Sequence, residues 1–387
     1  MALNDDLKRL VQDATRSEES PYVSIFMAIH PNDTNIQKDK SQFKNLVAEA
    51  EKKFTEQYPK KDWAVYQEEF DLISSERTLG RNGYEGMAVI ASKDHVFRYF
   101  LTFEPGNSSF VSDNLYILPI IKDTHFSLDY DLLHIDREGF GLYQVRDGLL
   151  TTVELPETAP ADFKEAIKDP LLVGDNAQIH PEHSTEDQWE ETNRGRGGLD
   201  ATVDDNLARY YKIVDQYVRQ NYTLREHVPL VLLGNEEVQH VFRTISKNGM
   251  LEKHIHITKV PPKLDQASLM KLKAEIGSQF NQQTNDRVLQ ALDDARSGGR
   301  EVSGTDNVIQ AAIEGRIYQL LIRDDTFEPG IINLDMQVDT ISSQATEHNL
   351  LNDIAVIVLA FGGRVDILAD EDMPLGQSVI GLLRGKA

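Results

Sequence analysis

Hydrophobic and polar positions in the middle of the chain predict three short strands followed by a long helix. The predicted strands are Leu132–Ile135, Gly141–Val145 and Leu150–Leu155. Asp147-Gly148 predicts a hairpin turn between the last two strands, because both residues tolerate positive φ. The helix is predicted because apolar side chains recur after residue 200 at helical spacing. These side chains are Val203, Leu207, Tyr210, Tyr211, Val214 and Val218.

The same middle segment continues with an alternation of strand and helix. Val228–Leu233 is predicted as a buried strand, Glu236–Ser246 as a helix and His254–Val260 as a closing strand. Three antiparallel strands followed by this alternation are typical of a ribonuclease-H-like sheet, so we expect that fold here.

The N-terminal part of the chain has the pattern of a small α/β unit. Apolar residues repeat at helical spacing between Phe43 and Phe54, which predicts a helix after a polar loop. The predicted strands of this part are Tyr22–Ile29, Met87–Ala91, Val96–Phe103 and Leu115–Ile121.

The C-terminal part predicts a compact α/β sandwich. A helix begins at Ser303-Gly304-Thr305 and stops at Gly315, and Ile317–Ile322 follows as a strand. Further along, Leu350–Ile354 is predicted as a helix and Ala355–Phe361 as a buried strand. Val365–Leu368 is then its predicted hairpin partner across Gly362-Gly363.

Breaks in these patterns predict three domains in an α/β protein. We expect an N-terminal α/β domain at residues 1–125, a ribonuclease-H-like middle domain at 126–262 and a C-terminal domain at 263–387. The second boundary follows the stiff Pro261-Pro262 pair.

Composition and charge narrow the function classes. The chain has 40 basic and 63 acidic residues, a net charge of −23, which opposes indiscriminate binding to nucleic acid or anionic lipid. It has no cysteine, so disulfides, thiolate metal sites and cysteine nucleophiles are excluded. Its longest apolar run, Ala355–Phe361, is too short to span a bilayer. We therefore expect a cytoplasmic protein without a membrane partner.

A glycine- and arginine-rich stretch before the long helix is the first candidate site. Its members are Arg194, Gly195, Arg196, Gly197, Gly198 and Leu199. Glycine lets a backbone approach closely, and arginine forks onto phosphate oxygens, so this stretch could contact a phosphate backbone. The alternative is a solvated loop, because Thr202-x-x-Asp205 fits a capping box that already satisfies the helix start.

Two further groups of residues are candidate metal sites, and for both a structural role is favoured. His180, Glu182, His183 and Glu186 could hold a divalent ion, but Pro181 interrupts helical ligand spacing and a solvated acidic loop is favoured. Asp136 could bind a metal in a nuclease, although the turn after its strand also favours aspartate. Phosphate-loop, zinc-protease and serine-hydrolase motifs are absent, so we expect no cofactor and no metal.

The combination of motifs resembles the class 1 peptide-chain release factors of archaea and eukaryotes and the ribosome-rescue protein Pelota. More closely, it resembles the bacterial archaeo-eukaryotic release-factor-like proteins. The resemblance is carried by residues 22–30 with the helix from Ser41, and by residues 132–150, 195–211, 303–322 and 362–368. It implies a ribonuclease-H-like middle domain and a C-terminal domain like ribosomal protein L7Ae.

The resemblance also implies a role for the glycine- and arginine-rich stretch. Release factors carry Gly-Gly-Gln there, and the glutamine helps water attack the peptidyl-tRNA ester. The matching positions are Gly197, Gly198 and Leu199, and leucine cannot hydrogen-bond water. Release factors also carry the stop-codon motif Asn-Ile-Lys-Ser in their N-terminal domain. Here it is matched only in part, by Asn35-Ile36-Gln37-Lys38.

We therefore expect a translation-associated protein that binds the ribosome or a tRNA through Arg194–Leu199, with no catalytic residue. Two alternatives stay open. One is a metal-dependent nuclease or hydrolase that uses Asp136 or the His180–Glu186 loop. The other is an adaptor whose acidic surface meets a protein partner.

Overall fold

A computed structural model describes most of the chain, in two compact units. One unit combines Met1–Ser127 with Asn281–Ala387, and the other is Leu128–Phe280. We call them the terminal unit and the central unit. The structure describes residues 11, 21–30, 35–81, 83–126, 128–146, 148–168, 199–261, 264–333, 335–374 and 376–385.

The described residues form a mixed α/β protein, which confirms the predicted class. The strands are β1 (Tyr22–Ala28), β2 (Gly86–Ala91), β3 (Val96–Leu101), β4 (Ser108–Ser112), β5 (Tyr130–Ile135), β6 (Phe140–Arg146), β7 (Leu149–Thr152), β8 (Leu230–Leu233), β9 (Glu301–Ser303), β10 (Ile317–Arg323), β11 (Ile331–Ile332), β12 (Val338–Asp339), β13 (Arg364–Leu368) and β14 (Val379–Leu383). The helices are α1 (Ile36–Gln57), α2 (Ala64–Ser75), α3 (Leu118–Phe126), α4 (Phe163–Ala166), α5 (Leu199–Val218), α6 (Leu224–Glu226), α7 (Glu236–Ile245), α8 (Gln266–Ser297), α9 (Thr305–Ile313), α10 (Ser343–Glu347) and α11 (Leu350–Ala360). A π-helical turn, Arg219–Thr223, joins α5 to α6.

The terminal unit contains two four-stranded sheets and a two-stranded ribbon. The first sheet has the order β3-β2-β1-β4 and is antiparallel throughout. The second has the order β13-β10-β14-β9, in which β10 and β13 are parallel. Strand β1 is buried along its whole length, and aromatic or β-branched residues make up four of its seven positions.

The central unit is a four-stranded sheet with the order β7-β6-β5-β8, in which β5 and β8 are parallel. Side chains alternate between its two faces, as the pleat requires. Leu133 and Ile135 pack against α5 and α7, whereas Tyr130 and Leu132 pack against the first half of α8.

The predicted hairpin in the central unit is confirmed. Strands β6 and β7 pair in antiparallel register, with Arg146 opposite Leu149. Gly148 has a φ of 74°, the positive value that the Asp-Gly pair predicted, and Asp147 lies outside the described residues. The prediction of a helix stop at Gly315 is likewise confirmed by its φ of 66°.

Residues 355–360 are helical, so the prediction of a strand at Ala355–Phe361 is wrong. Helix α11 continues from Leu350 to Ala360, and every side chain from Leu350 to Val358 is buried. The part of α11 from Ala355 to Ala360 is apolar on every side, so it has no polar face to reveal its period and resembles a buried strand. Strand β13 then pairs in parallel with β10 instead of forming a hairpin.

Two further predicted strands are replaced by other structure. Within Leu115–Ile121, helix α3 begins at Leu118, although Leu115 and Ile117 are buried as expected. Within His254–Val260, Ile257 makes an isolated bridge to Leu233 in place of a regular strand. Leu115, Ile117, Ile255 and Ile257 are buried apolar residues, but their backbones do not form regular strands.

The helices and strands do not test the more detailed predictions of the fold. The division into domains at residues 125 and 262, and the ribonuclease-H-like and L7Ae-like descriptions, stay predictions. Among the described residues, no helix combines the length and apolar character needed to cross a bilayer.

Candidate functional site

The predicted contact stretch lies largely outside the described residues. Arg194, Gly195, Arg196, Gly197 and Gly198 fall in the gap between residues 168 and 199. The residues His180, Glu182, His183 and Glu186 fall in the same gap. Leu199 is the first residue of helix α5. What the structure does describe is the pair of chain ends on either side of this gap, which we call the loop base (residues 160–168 and 199–214).

A buried tyrosine joins the two sides of the loop base. The Tyr210 hydroxyl on α5 donates hydrogen bonds to the carbonyl oxygens of Pro160, at 3.2 Å, and Ala161, at 3.1 Å. Its ring meets the Phe163 ring edge to face, with centroids 5.4 Å apart. Burial raises the pKa of Tyr210, so the hydroxyl keeps the proton that it donates. Tyr210 therefore fixes the chain before the gap to the helix after it.

A second set of backbone hydrogen bonds ties the loop base to the turn between β5 and β6. Phe140 N donates to Ala161 O at 3.0 Å, and Phe163 N donates to Glu138 O at 2.8 Å. Gly139 lies in this close approach: a Cβ on it would be 2.4 Å from Ala161 O. Glycine suits this position because the backbones at Gly139 and Ala161 lie too close together to leave room for a side chain.

Asp136 serves the turn, as the structural interpretation of the sequence expected. Its Oδ1 accepts hydrogen bonds from the backbone N–H groups of Glu138 and Gly139, both at 2.8 Å. The Tyr211 hydroxyl donates to the Asp136 carbonyl at 3.3 Å, and burial raises the pKa of Tyr211 to about 12. Over the described part of the chain, no group of three or more histidine or acidic side chains could hold a metal ion.

At the opposite end of β5, an ion-pair network was missed by the sequence analysis. The Asp131 side chain is fully buried, and its Oδ1 lies 2.6 Å from Arg146 Nη2. Arg146 also pairs with Glu226, which follows the π-helical turn. Asp131 Oδ2 is buried and accepts no hydrogen bond in the described structure. The acidic Asp131 in a mainly apolar strand was the signal that could have indicated this network.

The electrostatics of Asp131 are set mainly by burial. Loss of hydration raises the pKa of Asp131 above its ordinary value, against the opposing attraction of Arg146. The ionised Asp131 carboxylate therefore lowers the free energy of unfolding at neutral pH relative to acid, where the group is protonated. This network links β5 and β6 to Glu226 after the π-helical turn.

The central unit is the part of the chain that matches a known protein family. Residues 128–279 match the model of a family of release-factor-like proteins, and the match covers less than half of the chain. The family is bacterial archaeo-eukaryotic release factor family 6, which confirms for this segment the resemblance predicted from the sequence. No curated protein matches the sequence of the chain.

Several solved structures are similar to the chain at low sequence identity. The archaeal translation termination factor aRF1 is 11% identical with a TM-score of 0.25, covering 98% of this chain and 97% of that one. Pelota from Archaeoglobus fulgidus is 13% identical, with a TM-score of 0.31 and coverages of 78% and 79%. Dom34 from S. cerevisiae is 10% identical, with a TM-score of 0.37 and coverages of 78% and 74%. Because these scores are low, the family resemblance rests on residues 128–279.

Substitution of Gly139 by alanine tests the close approach at the loop base. We expect Gly139→Ala to lower the free energy of unfolding by about 1–3 kcal/mol, because the new methyl group must push away the Ala161 carbonyl. Chemical denaturation measures this change. Gly141→Ala is the matched control, since its Cβ would meet only the Tyr143 side chain at 3.7 Å. Equal stability of the two variants would contradict the described contact.

Substitution of Asp131 by asparagine tests the cost of its buried charge. A folded-state pKa raised above the unfolded value contributes stability in acid that is lost as pH rises through the folded pKa. We therefore expect the stability of Asp131→Asn relative to the unaltered protein to increase from acid to neutral pH. Urea denaturation at a series of pH values measures this difference. The opposite slope would mean that attraction by Arg146 outweighs burial.

Proposed function

We propose that this protein is a translation-associated factor that binds the ribosome or a tRNA without hydrolysing the peptidyl-tRNA ester. The contact residues are Arg194–Leu199. The proposal is supported by the family match over residues 128–279, which includes this stretch and whose family is named for release factors. The observation that carries it is the leucine at position 199, where the resemblance implies glutamine.

In this proposal hydrolysis is absent because the side chain of Leu199 has no hydrogen-bonding group. A glutamine amide can donate and accept hydrogen bonds, and so can orient water against an ester carbonyl. An isobutyl side chain does neither. Without a substitute group the attacking water loses its orientation, and binding is what remains.

The two arginines account for binding by an acidic protein. Arg194 and Arg196 carry guanidinium groups that fork onto phosphate oxygens, and the neighbouring glycines allow a close backbone approach. The net charge of −23 opposes RNA at long range. Screening limits that repulsion to about 10 Å at ordinary salt, so Arg194 and Arg196 can still bind phosphate at short range.

The remaining parts of the proposal follow the same resemblance. They are a cytoplasmic location, a ribonuclease-H-like domain at residues 126–262 and an L7Ae-like domain at 263–387. We propose a turn-forming role for Asp136 in place of a nuclease role, because its Oδ1 accepts hydrogen bonds from two backbone N–H groups of its own turn.

Removal of the two guanidinium groups tests the binding part of the proposal. We expect Arg194→Ala with Arg196→Ala to reduce co-sedimentation with ribosomes about tenfold or more, because several charge-assisted phosphate contacts are lost. The charge-matched control is Lys253→Ala with Lys259→Ala, both exposed in the same unit. Unchanged co-sedimentation of the arginine variant would remove the assignment of this stretch.

Restoration of an amide tests the chemical part. We expect the unaltered protein to leave peptidyl-tRNA intact on ribosomes and Leu199→Gln to release the nascent peptide, because only the water-orienting group is missing. Release of labelled peptide from purified ribosomal complexes measures this. Leu199→Asn is the matched control, since its amide is one methylene shorter. Peptide release by the unaltered protein would contradict the proposal.

A further inference from the structure

Four arginines lie at one end of the second sheet of the terminal unit, each of them at or next to the end of a different strand. Strands β13, β10 and β9 begin at this end, and β14 ends there, because β14 runs antiparallel to β10 and β9. In the order of the strands, the arginines are Arg364, Arg316, Arg384 and Arg300, which we call the arginine row. Neighbouring strands lie about 4.8 Å apart, so the row extends over roughly 14 Å.

Backbone hydrogen bonds fix the spacing of the arginine row. Arg384 N donates to Arg316 O at 2.9 Å, and Leu383 N donates to Arg300 O at 2.8 Å. The Arg364 and Arg316 side chains are 54% and 42% exposed, and Arg384 is exposed as well. Guanidinium groups on adjacent strands are therefore presented to solvent from a fixed backbone, which lowers the ordering cost of binding a ligand.

An aromatic side chain lies among these arginines. Phe361 is 50% exposed, although it is large and apolar. Arg384 Nη2 donates to the Phe361 carbonyl at 2.8 Å, and a Cβ on Gly315 would be 3.1 Å from the Phe361 ring. Gly362, next in the chain, is exposed and has a φ of 72°, so its backbone is open to close approach. This end of the sheet thus combines guanidinium groups with an exposed ring and an uncovered backbone.

The arginine row reverses the sign of the chain's charge locally. A carboxylate oxygen of Glu314 lies 3.0 Å from the row, and the Arg296–Glu301 ion pair beside it adds no net charge. Asp366 lies 3.7 Å from Arg364, beyond hydrogen-bond distance, and is itself buried. Four guanidinium groups against the carboxylates of Glu314 and Asp366 leave two positive charges in excess, whereas the whole chain carries −23. A polyanion is therefore the ligand that this end of the sheet attracts.

We propose that the arginine row and Phe361 bind single-stranded RNA. The guanidinium groups contact phosphates of the strand, and one unpaired base stacks on the exposed ring. A single strand fits better than a duplex, because the bases of a duplex are already paired and stacked on one another. The inference goes beyond the proposed function, since it assigns RNA binding to the terminal unit and does not involve Arg194–Leu199.

An acidic peptide fits this surface less well than RNA. Its carboxylates can pair with guanidinium groups, but a run of acidic residues is needed to match the whole row, whereas RNA carries a phosphate at every nucleotide. Each base also has a flat face that stacks on an aromatic side chain such as Phe361, whatever the sequence. We therefore expect binding that depends on charge and on the ring, without a strong sequence preference.

Binding of labelled decauridylate tests the arginine row. All variants carry Arg194→Ala and Arg196→Ala, so that the stretch of the proposed function does not contribute. We expect Arg316→Gln with Arg364→Gln to weaken binding about tenfold, because two phosphate contacts are lost. The slope of log affinity against log salt should fall in magnitude by about 1.4, since each contact to a single strand contributes about 0.7. Fluorescence anisotropy measures both quantities.

The matched control for this double variant is Arg77→Gln with Arg287→Gln, which removes two exposed arginines elsewhere in the same unit. Any polyanion responds to the overall charge of the chain, and the control changes that charge by the same amount. Equal affinities and equal salt slopes of the two double variants would overturn the inference.

Substitution of the exposed ring tests stacking separately from charge. We expect Phe361→Leu to weaken decauridylate binding about fivefold with an unchanged salt slope, because a stacking face is lost and no charge is removed. The matched control is Phe327→Leu, whose side chain is 52% exposed beyond the opposite end of β10. Thermal unfolding verifies that each variant is folded, and a folding defect in one set of variants leaves the other set decisive.

Two further outcomes separate this inference from its rivals. Displacement of decauridylate by an equimolar amount of decaglutamate would assign the row to an acidic protein segment and overturn the inference. Ribosome co-sedimentation that depends on Arg194 and Arg196, together with decauridylate binding that is the same with and without the row, would overturn this inference alone and leave the proposed function standing.

Discussion

Asn352 joins two parts of the terminal unit that are 235 residues apart in the chain. Its carboxamide oxygen accepts a hydrogen bond from Ile117 N at 2.8 Å, and its nitrogen donates to Leu115 O at 2.6 Å. The side chain is fully buried, so loss of either partner would leave a polar group unsatisfied away from water. Beside it, Asp353 accepts from Ile332 N and pairs with the buried His348. These few polar contacts fix how residues 115–117 and 332 are placed against helix α11 in the core of this unit.

Patterns in the sequence predicted burial better than backbone shape. The β6–β7 hairpin was predictable because Asp-Gly tolerates the positive φ that a tight hairpin turn requires, and Gly148 adopts it. Residues 355–361 were not, because an apolar run carries no period once every face is covered. The usable signal was that the helix predicted at Leu350–Ile354 continues into this run without a turn residue, since eleven residues together exceed an ordinary strand. Long-range pairing, such as the parallel β10–β13 contact, has no local signature at all.

The candidate site shows the same division between local chemistry and distant contacts. Residues 194–199 could be singled out because glycine and arginine have distinctive properties wherever they lie. Tyr210 was predicted only as a core position of a helix, and its hydroxyl bonds to residues 160 and 161 depend on contacts that helical spacing cannot reveal. The arginine row was also hidden, because the pairing of distant strands is what brings Arg316 next to Arg384.

The discontinuity of the terminal unit bears on how the chain folds during synthesis. Leu115 and Ile117 emerge long before their partner Asn352, and at roughly 5–20 residues per second the delay is on the order of 10–50 seconds. During that time the residues of the first sheet that share a core with the C-terminal part stay uncovered, whereas the central unit can complete its own core from contiguous residues. Chaperones that shield emerging hydrophobic segments would therefore act chiefly on the N-terminal part, and slower translation would prolong its exposure.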